Sequence, residues 1–126
     1  MHEIEFTKRL LIALSSVRGV RVHRQNCGQI PVRNNRGEVV RYFDAGPPNG
    51  AADISGWVAP EGWRLEVELK VGRRKRSREQ EAWARVVESS GCVYALCVYD
   101  ENASVDKNVD FAVLAVRDAI KARRGQ

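Results

Sequence analysis

The stretch from Arg64 to Val71 alternates without a break: Leu65, Val67, Leu69 and Val71 are apolar, while Arg64, Glu66, Glu68 and Lys70 are charged. A helix would scatter both sets around its circumference, whereas an extended chain puts each set on its own side. The stretch is therefore read as a strand with one buried face, and Glu66, Glu68 and Lys70 point the same way. Upstream, Gly50-Ala51-Ala52-Asp53 leads into a strand-like run from Ile54 to Val58, and Ala59-Pro60-Glu61-Gly62 supplies the turn between the two strands. In an antiparallel hairpin the first residue of one strand lies beside the last residues of the other. Asp53, Glu68 and Lys70 can therefore converge.

The remaining segments fit around this hairpin. Glu3 to Ser16 reads as a helix with Ile4, Leu10, Leu11 and Leu14 as its apolar stripe and Arg18-Gly19 as its stop. Val20 to Arg24 alternates as a strand, Gln25-Asn26-Cys27-Gly28 reads as a turn, and Asn34-Asn35-Arg36-Gly37 is a loop tip before a second possible strand from Glu38 to Phe43. Arg33, Arg36 and Arg41 make this arm basic, suited to a phosphate backbone or simply to solvent. Two prolines and two glycines in the segment from Asp44 through Gly50 allow neither helix nor strand, so this segment is the loop that delivers Gly50 and Asp53.

Beyond the hairpin, Ser77-Arg78-Glu79-Gln80 matches a capping box, and the helix it opens runs to about Ser90 with Trp83, Val86 and Val87 facing inward. Cys92 to Tyr99 is almost wholly apolar, as expected of a strand covered on both faces. Strand, helix and strand in this order imply a parallel crossover, and hence an α/β fold. Asp100 to Asp110 reads as a polar connection. Phe111 to about Arg123 reads as a last helix with Val113, Val116 and Ile120 inward. Its closing Lys121, Arg123 and Arg124 suit a helix C-terminus.

With 126 residues, 44% of them hydrophobic and 29% charged, the chain is expected to form one folded domain, residues 1–126. It has neither an apolar run of the ~20 residues a membrane span needs nor a signal-peptide start, so a cytoplasmic protein is expected, in the host cytoplasm if a phage encodes it. Cys27, Cys92 and Cys97 are odd in number and lack the spacing of a zinc site; they read as buried thiols. His23 has no ligand partner at metal-binding spacing. A net charge of +5 points to a polyanionic partner. Arg73, Arg74, Lys75, Arg76 and Arg78 place five basic residues within six positions, directly after the charged strand. Beside a carboxylate cluster such a run suits a phosphate clamp.

Two carboxylates held about 4 Å apart repel by roughly 4 kcal/mol at an effective dielectric near 20. A divalent cation removes that penalty. Oxygen donors without paired His or Cys favour Mg²⁺ or Mn²⁺, and a lysine on the same face could orient or deprotonate water, or offset charge on phosphorus. Glu66 is either a carboxylate just outside the ligand set or a cross-strand partner for an arginine.

At these residues the chain resembles the PD-(D/E)xK nuclease superfamily and, within it, the VRR-NUC family of replication and repair nucleases, in a minimal stand-alone form. Gly50-Ala51-Ala52-Asp53 resembles the motif with the metal-binding aspartate, Glu68-Leu69-Lys70 the Glu-x-Lys motif, Arg24 to Gly28 the Arg/Asn/Gly turn, and Ser77 to Gln80 the Ser-Pro-Glu-Gln-like segment. Ala52 stands where many relatives have proline, a position that bears no ligand. The resemblance implies a restriction-endonuclease-like core, a central mixed sheet flanked by helices in the order α-β-β-β-α-β-α. It implies Mg²⁺ or Mn²⁺ held by Asp53, Glu68 and the Leu69 carbonyl, with Glu3, or else Glu5, as an acid from the first helix. Lys70 is then the catalytic lysine and Gln80 a member of the site. Small stand-alone members resemble Holliday-junction resolvases that act as homodimers, so branched DNA is the expected substrate, with no organic cofactor. The competing expectation is a basic DNA-binding accessory protein without catalysis.

Overall fold

The computed structural model describes residues 3–25, 28–45, 47 and 50–125. In chain order the elements are α1 (Glu3–Ser15), β1 (Val20–Arg24), β2 (Gly28–Arg33), β3 (Val39–Ala45), β4 (Ile54–Val58), β5 (Trp63–Val71), α2 (Arg78–Ser89), β6 (Val93–Tyr99) and α3 (Val105–Arg124). Four strands form a mixed sheet in the order β1-β4-β5-β6, and β2 and β3 form a separate two-stranded ribbon. The fold is α/β. Among the described residues no helix is long and apolar enough to cross a membrane.

The expected hairpin is present: β4 and β5 pair antiparallel, with Ile54 opposite Val67 and Val58 opposite Trp63. β5 outruns β4 and pairs along its length with β6 in parallel, Leu65 opposite Val93 through Val71 opposite Tyr99. Alternation then sorts the side chains. Leu65 and Val67 join Val93, Ala95, Cys97 and Tyr99 on the face that packs against Phe6, Leu10 and Leu14 of α1 and Val109, Ala112, Val116 and Ile120 of α3. Phe6, outside the expected stripe, meets Tyr99 edge to face with ring centroids 4.8 Å apart. The opposite face carries Glu66, Glu68 and Lys70, and α2 lies over it.

Several expectations are corrected. Five strands precede α2 rather than the three of the order that the resemblance implies, because a ribbon stands between β1 and β4, of which only the second strand, expected at Glu38 to Phe43, is signalled in the sequence. Its first strand contains Pro31, which a two-stranded ribbon tolerates on its free edge but which hides the strand in the sequence. Ile30, Val40, Tyr42 and Phe43 of this ribbon are each more than half exposed. β6 is fully covered on one face only: on the other, Tyr94 is half-buried while Leu96 and Val98 are 38% and 51% exposed. On α2, Ala84 and Val87 are buried while Val86 is exposed.

The last helix begins at Val105, not Phe111, and takes in most of the supposed polar connection. Those polar residues work at its start. Ser104 accepts from the Lys107 amide at 3.1 Å, and buried Asn108 donates to the Asp100 and Ser104 carbonyls, each at 2.9 Å. At the other end Arg123 stacks on Trp63 and Arg124 pairs with Glu61, so these cations fasten the end of the sheet remote from Glu68.

Candidate active site

The β4–β5 register brings Asp53, the residue before β4, opposite Glu68. One carboxylate oxygen of Asp53, Oδ2, accepts from the Leu69 backbone N–H at 2.9 Å. The N–H and C=O of one strand residue leave on the same edge, so the Leu69 carbonyl also faces the Asp53 side. Glu68 is only 2% exposed. Its Oε1 accepts from Gln80 Nε2 at 3.2 Å and lies 3.8 Å from the Lys70 ammonium. Its Oε2 is buried and has no hydrogen-bond partner among the described residues. Asp53, Glu68, Lys70 and Gln80 are thus brought together, with the Leu69 backbone between them.

Burial, followed by the nearby negative charge of Asp53, pushes the Glu68 carboxyl up to about 8, against a smaller downward pull from Lys70 and Arg76. Two carboxyl groups with one desolvated oxygen left unpaired suit a divalent cation, and Asp53, Glu68 and the Leu69 carbonyl could supply three oxygen ligands. Among the described residues no three His, Cys, Asp or Glu side chains cluster at metal-binding spacing, so the carbonyl and water would have to complete the set.

Gln80 arrives through the helix cap. Ser77 Oγ accepts from the Gln80 amide at 3.1 Å, and Gln80 Oε1 accepts from the Ser77 amide at 2.8 Å, which leaves Nε2 free for Glu68. The loop before Asp53 rests on the same helical turn. Gly50 has φ +89°, and a Cβ there would run into the Glu79 carbonyl group and approach the Gln80 nitrogen to 2.9 Å. Only glycine lets the Asp53 loop and the start of α2 come this close.

Glu3 is the first residue of α1, and its side chain lies outside the described part of the structure. Glu5 is exposed and paired with Arg9 at 3.0 Å. Of the resembling turn, Asn26 and Cys27 are outside the described residues, while Gln25 donates from its backbone to the Asp53 carbonyl at 2.8 Å. Arg73, Arg74, Lys75 and Arg78 are exposed. Arg76 turns inward and lies 5.6 Å from the centroid of the Tyr94 ring, whose hydroxyl is buried without a partner among the described residues. Tyr94 faces the site because it is opposite Glu66 on the parallel strand, a relationship visible only once that register is known. His23 is exposed. Cys97 is buried and Cys92 half-buried.

Comparison with family models and with curated proteins finds no match.

Proposed function

We propose that this chain is a metal-dependent endonuclease that hydrolyses phosphodiester bonds in DNA, built on a restriction-endonuclease-like core of the VRR-NUC kind. The observation that carries the proposal is the buried Glu68: it faces Asp53, touches Gln80 and Lys70, and keeps one oxygen unpaired among the described residues. A buried carboxyl group with an unpaired oxygen costs stability, a cost that a bound cation would offset. When bound, Mg²⁺ or Mn²⁺ supplies positive charge at the phosphate and makes water more acidic. Asp53, Glu68 and the Leu69 carbonyl hold it. The Lys70 ammonium orients the attacking water or offsets charge developing on phosphorus, and Gln80 holds Glu68 in place through the same oxygen that Lys70 approaches. The exposed Arg73, Arg74, Lys75 and Arg78 grip the backbone beside the site. By the same resemblance we propose a cytoplasmic homodimer acting on branched DNA such as Holliday junctions, with two sites for two strands.

Labelled four-way junctions, flaps, plain duplex and single strands incubated with Mg²⁺, Mn²⁺ or EDTA test this reading. Metal-dependent cutting lost in Lys70→Ala is expected. Salt-sensitive binding without cutting would instead make the chain a DNA-binding accessory protein.

A further inference from the structure

Glu66 and Glu68 are two residues apart on the same face of β5, yet they are used in opposite ways. Glu66 is completely buried. Its Oε1 accepts from the indole Nε1 of Trp83 at 2.5 Å. Its Oε2 accepts from Arg64 Nε at 3.3 Å and from Gln25 Nε2 at 3.4 Å, and it forms an ion pair with Arg64 at 3.2 Å. Glu66 therefore has both oxygens occupied, while Glu68 keeps one unpaired among the described residues. The same Gln25 Nε2 also donates to the Ala52 carbonyl at 3.0 Å, and the Gln25 backbone N–H donates to the Asp53 carbonyl at 2.8 Å. Arg64 closes the ring by donating to Gln25 Oε1 at 3.2 Å.

These hydrogen bonds tie together β5, α2 and the chain that leads into Asp53. Only Ala84 and Val87 of α2 are buried, so the helix has a small apolar footing. Its polar footing is regular. Gln80 and Trp83 are one helical turn apart, and Glu68 and Glu66 are one strand repeat apart, so two hydrogen bonds between the pairs fix both the height and the rotation of the helix. Through Gln25, Glu66 also holds the chain just before Asp53.

Building on the nuclease reading, we propose that Glu66 is a positioning residue that locks α2 and the Asp53 loop onto β5, so that Asp53, Glu68 and Gln80 meet. It touches neither metal nor substrate. Its carboxylate accepts hydrogen bonds from all sides, so Glu66→Gln, although equal in size, sets an NH₂ group against one of the donors. Trp83→Phe removes one donor and keeps the aromatic ring, a milder change should the first variant fold poorly.

The test uses amide hydrogen exchange followed by NMR on the metal-free protein. The reporter is the Leu69 N–H, whose acceptor is Asp53. In either variant its exchange is expected to speed up by about tenfold, while amides of the β1–β4 pair keep the parent rates. Unchanged exchange at Leu69, or acceleration by the same factor throughout the sheet, overturns the proposal by reducing Glu66 to a general stabiliser. A second arm measures Mn²⁺ affinity by calorimetry. Each variant is expected to bind about tenfold more weakly, and the double variant no more weakly than either. A parent that binds no Mn²⁺ would count against the nuclease reading, and the exchange result would still decide the role of Glu66.

Discussion

The Gln80 side chain caps α2 with its oxygen and reaches Glu68 with its nitrogen at 3.2 Å, so one amide serves the fold and the site together. Substitutions can separate the two duties. Gln80→Glu keeps an oxygen for the Ser77 amide but brings a further carboxylate to Glu68, whereas Gln80→Ala removes both hydrogen bonds. The alanine variant is expected to lose about 1 kcal/mol of stability. The glutamate variant is expected to lose DNA cleavage while keeping the cap. Thermal unfolding and cleavage rate, measured on both variants, give the comparison.

Glu68 is expected to make stability fall as pH rises from about 4.5 to about 8. The unfolded chain releases this proton near 4.5, whereas the folded chain keeps it up to about 8. Between those values the folded state binds more protons than the unfolded one, so stability drops with rising pH, by at most about 1.4 kcal/mol per pH unit, and levels off above about 8. Urea unfolding of metal-free protein from pH 5 to 9 should show this slope. Glu68→Gln should flatten it, and an equal slope in that variant would assign the effect elsewhere.

If Glu68 holds a cation as proposed, a cation and a proton would compete for it. Mg²⁺ or Mn²⁺ is therefore expected to raise the melting temperature more at pH 8 than at pH 6, and EDTA to remove the gain. Asp53→Asn keeps an oxygen for the Leu69 amide but gives up a charge, so it should abolish the metal-induced shift with little change in the metal-free melting temperature.

Lys70 and the exposed basic run should give different phenotypes. Lys70→Ala is expected to lower cleavage by roughly 100-fold or more with DNA affinity nearly intact. Neutralising Arg73, Arg74, Lys75 and Arg78 together should weaken binding to every DNA and reduce the slope of log affinity against log salt by about 0.9 for each phosphate that is no longer neutralised. Filter binding at several salt concentrations, alongside cleavage at saturating DNA, separates the two.

How much of this can be read from the chain depends on whether the information is local. The β5 alternation and the Ser77–Gln80 box act within a few residues, and the observed strand and cap follow them. The convergence of Asp53 with Glu68 needs only the hairpin between them. Glu66 is ambiguous in the sequence because its partners, Trp83 and Gln25, are 17 and 41 residues away on other elements. Its arginine partner is Arg64 on its own strand, not a residue across the sheet. β6 misleads because an apolar run looks the same whether two faces are covered or one. The start of α3 is hidden because Asn108 and Ser104, polar in the sequence, are spent on closing the Asp100 loop and capping the helix.

Gly50 carries no functional group, yet the space it leaves open is filled by the Glu79 carbonyl. Any side chain at position 50 would act as a wedge between the loop and the helix. It would prise the first turn of α2 away and take Gln80 with it, so a change beside Asp53 would register as damage at Glu68. The boundary of the site is therefore drawn by the close approach of two stretches of main chain as much as by the polar side chains gathered there.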